Sequence, residues 1–278
     1  MRKSWLIPII LISLTWGGCI SSTSTSTSTD SEDTIRIGLT GDVMLGRKVN
    51  EKLAEVDDPT YPWGDVLPLM QENDLNLINL ETTLTTSDDI VEKVFNFKSD
   101  PQNVQVLMEG NIDVVNLANN HIFDFSESGL LETIRTLDDV GIEHVGAGPT
   151  IDDARAPIIL EENDITVGIL GYTDNEAGWA ATENSAGHNY VEIGDLDQIT
   201  KDIDALRDEV DVLIVTIHWG KNYIEEPSQE HIDFAHTLID EGVDIIHGHS
   251  SHIYQGIELY NDGLILYDTG DFIDDYII

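Results

Sequence analysis

The sequence predicts an α/β fold with a mainly parallel, buried sheet flanked by helices. Short runs rich in β-branched and aliphatic residues recur along the chain, and segments of helical periodicity separate them. Strands that alternate with helices imply crossover connections and therefore parallel pairing. The polar residues point the same way. Almost every apolar run ends directly in carboxylate, amide or imidazole side chains, and open α/β sheets bind ligands beyond the carboxyl ends of their strands.

The elements follow in order. Arg2 and Lys3 precede a short apolar stretch from Trp5 to Trp16, and Gly17-Gly18 then precede Cys19. This reads as an export signal whose Cys19 is the lipidation site, so residues 1–19 are predicted to be a signal peptide with a lipobox. An ordinary signal peptide or an uncleaved anchor is the alternative. The expected location is the outer face of the cytoplasmic membrane, with the lipid as anchor. Cys19 is the one cysteine, which excludes an intrachain disulfide. Residues 20–33 contain a near-perfect Ser-Thr alternation with no apolar face to bury, and are predicted to be a tether. The folded domain is expected over residues 34–278. Its predicted strands are Ile35–Leu39, Leu75–Leu80, Val114–Ala118, Thr166–Leu170, Val212–Ile217, Val243–Ile246 and Leu264–Tyr267. Its predicted helices include Asn103–Glu109, Ser126–Val140, Ile199–Glu209 and Gln229–Glu241. No helix follows the last strand, so the domain is expected to be incomplete at its C-terminus.

Charge excludes one class of partner. The chain carries 53 acidic and 13 basic residues, a formal net charge of −40. A nucleic-acid backbone requires clustered Lys and Arg, so no nucleic acid is expected as a partner. The acids are spread along the chain, as on the solvated surface of a salt-adapted protein, and they also create a field that attracts cations.

The strand ends hold the candidate chemistry. In chain order they are Gly41-Asp42, Asn79-Leu80-Glu81, Asn119-Asn120-His121 with Asp124, Tyr172-Thr173-Asp174, His218-Trp219-Gly220, His247-Gly248-His249-Ser250-Ser251-His252, and Asp268 with Gly270-Asp271. In a parallel sheet these ends face one side. A mixture of oxygen and nitrogen donors suits Mn²⁺, Fe²⁺ or Zn²⁺, which can polarise a phosphoryl oxygen and activate water. Singly, each has a plainer reading: Asp42 as a helix cap, His121 as a hydrogen-bonded core histidine, Asn119 and Asn120 as turn residues. The clustering of His247, His249 and His252 after a buried strand is harder to explain without a ligand. His144, His188, His231 and His236 read as surface or helix-packing residues.

These motifs, taken together and in order, resemble the CapA family of capsule (poly-γ-glutamate) synthesis proteins. Gly41-Asp42-Val43-Met44-Leu45-Gly46-Arg47 resembles its opening motif, Asn79-Leu80-Glu81-Thr82 its second, and Leu117-Ala118-Asn119-Asn120-His121 through Asp124 its third. His218-Trp219-Gly220, the His247–His252 segment and Gly270-Asp271-Phe272 resemble the later ones. The resemblance implies a layered αββα architecture similar to calcineurin-like metallophosphoesterases. It implies that Asp42, Glu81, Asn120, His218, His249 and His252 hold one or two divalent ions. His121, Asp124 and His218 are the implied catalytic set, with His121 as general acid or oxyanion stabiliser. Arg47, Lys98, Asn79, Asn119, His247 and Asp271 are the implied anion or substrate contacts. The phosphoesterase pattern Asp-x-His is broken here by Met44, so a single ion or a weakly held pair is expected. Two functions are implied: a metal-dependent hydrolase acting on a phosphoester or an extracellular anionic polymer, or a non-catalytic accessory protein that binds polymer or docks a membrane-bound capsule synthase.

Overall fold

The computed structural model describes residues 34–276. The expected signal peptide, the lipidation at Cys19 and the tether of residues 20–33 lie outside the described residues. The main strands are β1 (Ile37–Val43), β2 (Leu75–Leu80), β3 (Val114–Asn116), β4 (Glu143–Val145), β5 (Ile158–Glu162), β6 (Ile165–Thr173), β7 (Val212–His218), β8 (Ile245–His249), β9 (Ile257–Tyr260), β10 (Gly263–Leu266) and β11 (Asp271–Ile273). The longer helices are α1 (Arg47–Val56), α2 (Val104–Glu109), α3 (Ser126–Asp138), α4 (Ile199–Arg207) and α5 (Gln229–Asp240).

There are two principal sheets, as a layered αββα arrangement requires. The first has the order β11-β1-β2-β3-β4 and is parallel throughout. The second has the order β9-β10-β8-β7-β6-β5, with a parallel centre and antiparallel edges. Successive residues of a strand face opposite sides, and the cores show which side each takes. Leu77 and Val114 of the first sheet meet Val167, Ile169 and Ile214 of the second between the sheets. Their neighbours Ile78 and Val115 pack outward with Leu107 of α2 and Leu130, Ile134 and Leu137 of α3. Val215 and Ile217 pack outward with Ile203 and Leu206 of α4 and Phe234 and Leu238 of α5. The architecture is therefore the layered αββα arrangement, and both faces of each sheet are covered.

Strand boundaries differ from the predicted ones for local reasons. β1 runs on to Val43, so Asp42 sits inside a strand instead of capping a helix. β3 stops at Asn116 because the Asn116 amide turns back to accept from Ala118 N (3.3 Å) and donate to Ala118 O (2.9 Å). β8 begins at Ile245, because Val243 N closes α5 by donating to Leu238 O. One pairing was not legible in the sequence. After crossing the second sheet, the chain returns as β11 to pair with β1, with Asp271 opposite Asp42.

Candidate metal centre

The carboxyl ends of both sheets meet in one place. Asp42 projects from β1. Glu81 follows β2, where its amide donates to Val43 O (3.0 Å). His218 and His249 end β7 and β8 as paired partners in register. His252 lies on the next loop, where Ser250 (φ 120°) and His252 (φ 62°) take the left-handed backbone region. Side chains with a Cβ rarely adopt it, and each such residue costs about 1–3 kcal/mol. The turn aims the His252 imidazole back at Asp42 (Nδ1 to Oδ2, 3.6 Å) and Asp271 (2.8 Å).

Two donor groups result. Asp42, His218 and His249 form one; Asp42, Glu81, His252 and Asp271 form the other, and within each the ligand atoms lie within 4.8 Å of one another. Asp42 belongs to both. Asn120, also expected as a ligand, lies on the other side of the His218 ring: its Oδ1 is 3.1 Å from His218 Nε2, whereas His218 Nδ1 faces Asp42 and His249. β11 supplies Asp271 to the second group by pairing opposite Asp42. The donors fit divalent cations on a further observation. Asp42 and Glu81 are fully buried, yet Asp42 Oδ2 and both carboxylate oxygens of Glu81 lack a hydrogen-bond partner. Burial pushes both carboxyls well above the usual carboxylate range, and neighbouring Asp268 (for Asp42) and Asp42 (for Glu81) push them further. Such groups stay charged inside a protein when a cation pairs with them. Burial also holds His218 and His249 well below the ordinary imidazole value, as ligands must be.

His121 and Asp124 sit beside this centre. His121 Nδ1 lies 2.5 Å from Asp124 Oδ2, while Nε2 faces Glu81 Oε1 at 3.8 Å. The carboxylate fixes the ring orientation and leaves Nε2 toward the centre. Phe97 stacks on the imidazole with ring centroids 3.7 Å apart. Burial depresses His121 to about 4 despite Asp124.

Other predicted residues lie elsewhere or do other work. Asn79 donates to Asp42 Oδ1 (2.7 Å) and accepts from Asn116 and Asn119, so it orients the aspartate. Asn119 donates to Leu80 O and accepts from His121 N, which makes it a brace between strand ends. His247, expected to contact an anion, is instead buried between Thr40 O (2.8 Å) and Thr216 (3.2 Å). Lys98 leaves the centre altogether, bonding to Ser87 O and Asp88. Asp271, also expected as an anion contact, stands among the ligand donors. His188 is fully buried in a short strand and is not a surface residue. His231 lies 3.6 Å from Asp174, and His236 stacks on Tyr260.

Sequence reasoning missed Lys93 and the role of Asp268. Lys93 Nζ bonds to Asn120 O and Asp124 Oδ1 (3.0 Å) and lies 5.0 Å from the Trp179 ring centre. It sits in a loop with no strand-end signal. Asp268 accepts from Ser251 N (2.7 Å) and Gly270 N (2.8 Å), shaping the His252 loop, and burial raises it to about 6. Its position after an apolar run was the available signal.

The chain is 35% identical over 249 residues to a probable polyglutamine synthesis accessory protein of Mycobacterium tuberculosis, a match covering 85% of this chain and 66% of that relative. It is 30% identical over 276 residues to the capsule biosynthesis protein CapA of Bacillus anthracis, covering 97% of this chain and 67% of the relative. The chain thus spans about two thirds of the length of these relatives. Among solved structures, a 5'-nucleotidase precursor from Thermus thermophilus superposes with a TM-score of 0.44 at 14% identity, over 77% of this chain and 43% of that one. The family model described as "Bacterial capsule synthesis protein PGA_cap" matches residues 36–276, and the chain belongs to that family.

Proposed function

We propose that this protein is a divalent-metal-dependent hydrolase of the phosphoester type, serving capsule or poly-γ-glutamate synthesis from the outer face of the cytoplasmic membrane. The observation that carries the proposal is the set of unpartnered, buried oxygens on Asp42 and Glu81. An uncompensated buried carboxylate costs several kcal/mol (about 3–5 by analogy with broken buried pairs). Two of them facing one point, with His218 and His249 held toward the neutral form by burial, are hard to explain by structure alone.

Asp42 would hold ions in both groups, with His218 and His249 on one side and Glu81, His252 and Asp271 on the other. A bound Mn²⁺, Fe²⁺ or Zn²⁺ would supply charge to a phosphoryl oxygen and acidify water. His121 would deliver or stabilise a proton at Nε2, oriented by Asp124. Asn79 would keep Asp42 turned toward the ions. The export-signal pattern read in residues 1–19, with Cys19, supports a membrane-anchored location, and the relatives' names support the capsule context. The word "accessory" in the mycobacterial relative's name favours a second reading, in which the centre is a docking pocket for a polymer or a membrane-bound synthase.

The test is elemental analysis of the purified protein, followed by hydrolysis of nitrophenyl phosphate mono- and diesters with Mn²⁺. One or two transition-metal ions per chain are expected, lost in His249→Ala, with turnover abolished in His121→Ala. Metal uptake without turnover on any phosphoester would shift the weight to the accessory reading. A folded protein that takes up no Mn²⁺ or Zn²⁺ would exclude the hydrolase.

A further inference from the structure

The α1 helix starts beside the centre without a cap of its own. Its N-cap residue is Gly46, no side chain of the local chain bonds to its first turn, and no acidic residue lies in that turn. The missing anion comes from the far end of the chain. Asp275 Oδ2 accepts from Lys48 N (3.1 Å), and Asp275 Oδ1 lies 3.2 Å from Arg47 Nη2. Only 3% of the Asp275 side chain is exposed there. A carboxylate is thus seated against backbone N–H and a guanidinium, as anion sites are built.

The surroundings are those of a binding pocket. The Arg47 guanidinium lies 5.8, 5.5 and 5.6 Å from the ring centres of Phe95, Phe97 and Tyr276. Its Nη1 and Asp275 Oδ1 are both buried with no hydrogen-bond partner, so the fork has donors that Asp275 does not use. Phe97 stacks on His121, and Tyr276 lies 5.4 Å from the ring of His252. The pocket therefore touches His121 through Phe97, and the segment seated in it touches the metal-ligand candidate His252 through Tyr276. Asp274, Asp275 and Tyr276 form the strap that fills it.

We propose that the Arg47 pocket is a carboxylate-binding subsite of the metal centre, occupied here by the chain's own Asp275, and that an acidic chain ligand enters by displacing the strap. The proposal rests on the reading of the centre as functional, because the subsite would position that ligand across the ions. In a chain of net charge −40, an external polyanion is repelled over the wider surface. An internal carboxylate that yields to a multivalent one confines binding to this point.

The experiment is calorimetric titration of the full, metal-loaded chain with a short oligoglutamate peptide, and separately with inorganic phosphate, at fixed ionic strength. Asp275→Asn keeps the side-chain shape and removes the charge, and Asp275→Ala empties the pocket. Both are expected to bind the peptide at least about tenfold more tightly than the natural chain, the size of one charge-assisted hydrogen bond. Arg47→Met combined with Asp275→Asn is expected to lose that gain. Unchanged peptide affinity in both single variants, with lowered melting temperature, would make Asp275 a helix cap only and overturn the proposal. Tightening for phosphate and not for peptide would overturn it as well. Metal content is measured on every variant, so a failure of the centre itself shows as lost metal, separately from the Arg47 effect.

Discussion

At the residue scale, the balance between stability and function is clearest at Glu81. Its carboxylate is fully buried with neither oxygen paired, whereas Asp124, equally buried, is satisfied by His121, Lys93 and Phe97 N. The two carboxylates therefore respond oppositely to substitution. Metal-free Glu81→Gln should be more stable than the natural chain by about 1–3 kcal/mol, because a desolvated charge is removed. The same variant should take up less Mn²⁺. Denaturant titration with and without Mn²⁺ decides; a loss of stability in the metal-free variant would falsify the idea that Glu81 awaits a cation. Lys93→Met should do the reverse, costing about 3 kcal/mol by leaving Asp124 short of a positive partner. It should slow turnover while metal content stays constant, and Lys93→Arg should recover part of both. Residue identity and strand-end position made Asp42, Glu81, His218, His249 and His252 visible beforehand. Lys93 was invisible, because a lysine in a loop looks like any solvated lysine until folding seats it on Asp124.

At the element scale, strand and helix cores were legible and their ends were not. Leu75–Leu80 and the start of α3 at Ser126 match the predicted limits, since apolar patterning is a property of the local chain. β4 and β11 escaped notice because each is three residues long and exists only through its partners. β11 matters most, since it places Asp271 beside Asp42. That pairing depends on two glycines at a close backbone approach: a Cβ on Gly41 would fall 1.7 Å from Gly270 O. Gly41→Ala should therefore cost about 3 kcal/mol through overpacking and weaken metal binding by moving Asp271. Thermal melts paired with metal analysis check it, and a variant with natural stability would show that the strand ends have slack.

At the scale of the whole molecule, charge governs stability. With 53 acidic against 13 basic residues, self-repulsion opposes the compact state, and added salt screens it. The melting temperature should rise with KCl; an unchanged value between low and high salt would contradict this. The buried site adds a pH dependence. Asp42 and Glu81 are raised in the folded state, so their contribution is complete below their unfolded values and is lost as pH rises through the raised ones. His121 and His247 are depressed to about 4, so theirs is present above the ordinary 6.5 and is lost as pH falls through about 4. Metal-stripped protein should thus lose stability at both ends. Mn²⁺ should remove the loss at higher pH, contributing about 2.7 kcal/mol at a hundredfold excess over its dissociation constant. Melts of stripped and loaded protein across pH measure this, and identical curves would argue against a cation at Asp42 and Glu81.

The sequence by itself determined the alternation of strands and helices, the side on which polar strand ends gather, and the identity of most donors there. These follow from local periodicity and from the geometry common to parallel sheets. Only the tertiary structure decided which strands go to which sheet, that β11 returns to β1, that Lys93 reaches Asp124 and Asp275 reaches Arg47, and that Lys98 does neither. Those outcomes depend on contacts between residues far apart in the chain, such as Asp275 with Arg47 and Asp271 with Asp42. Packing free energy selects such contacts, and no local pattern encodes them.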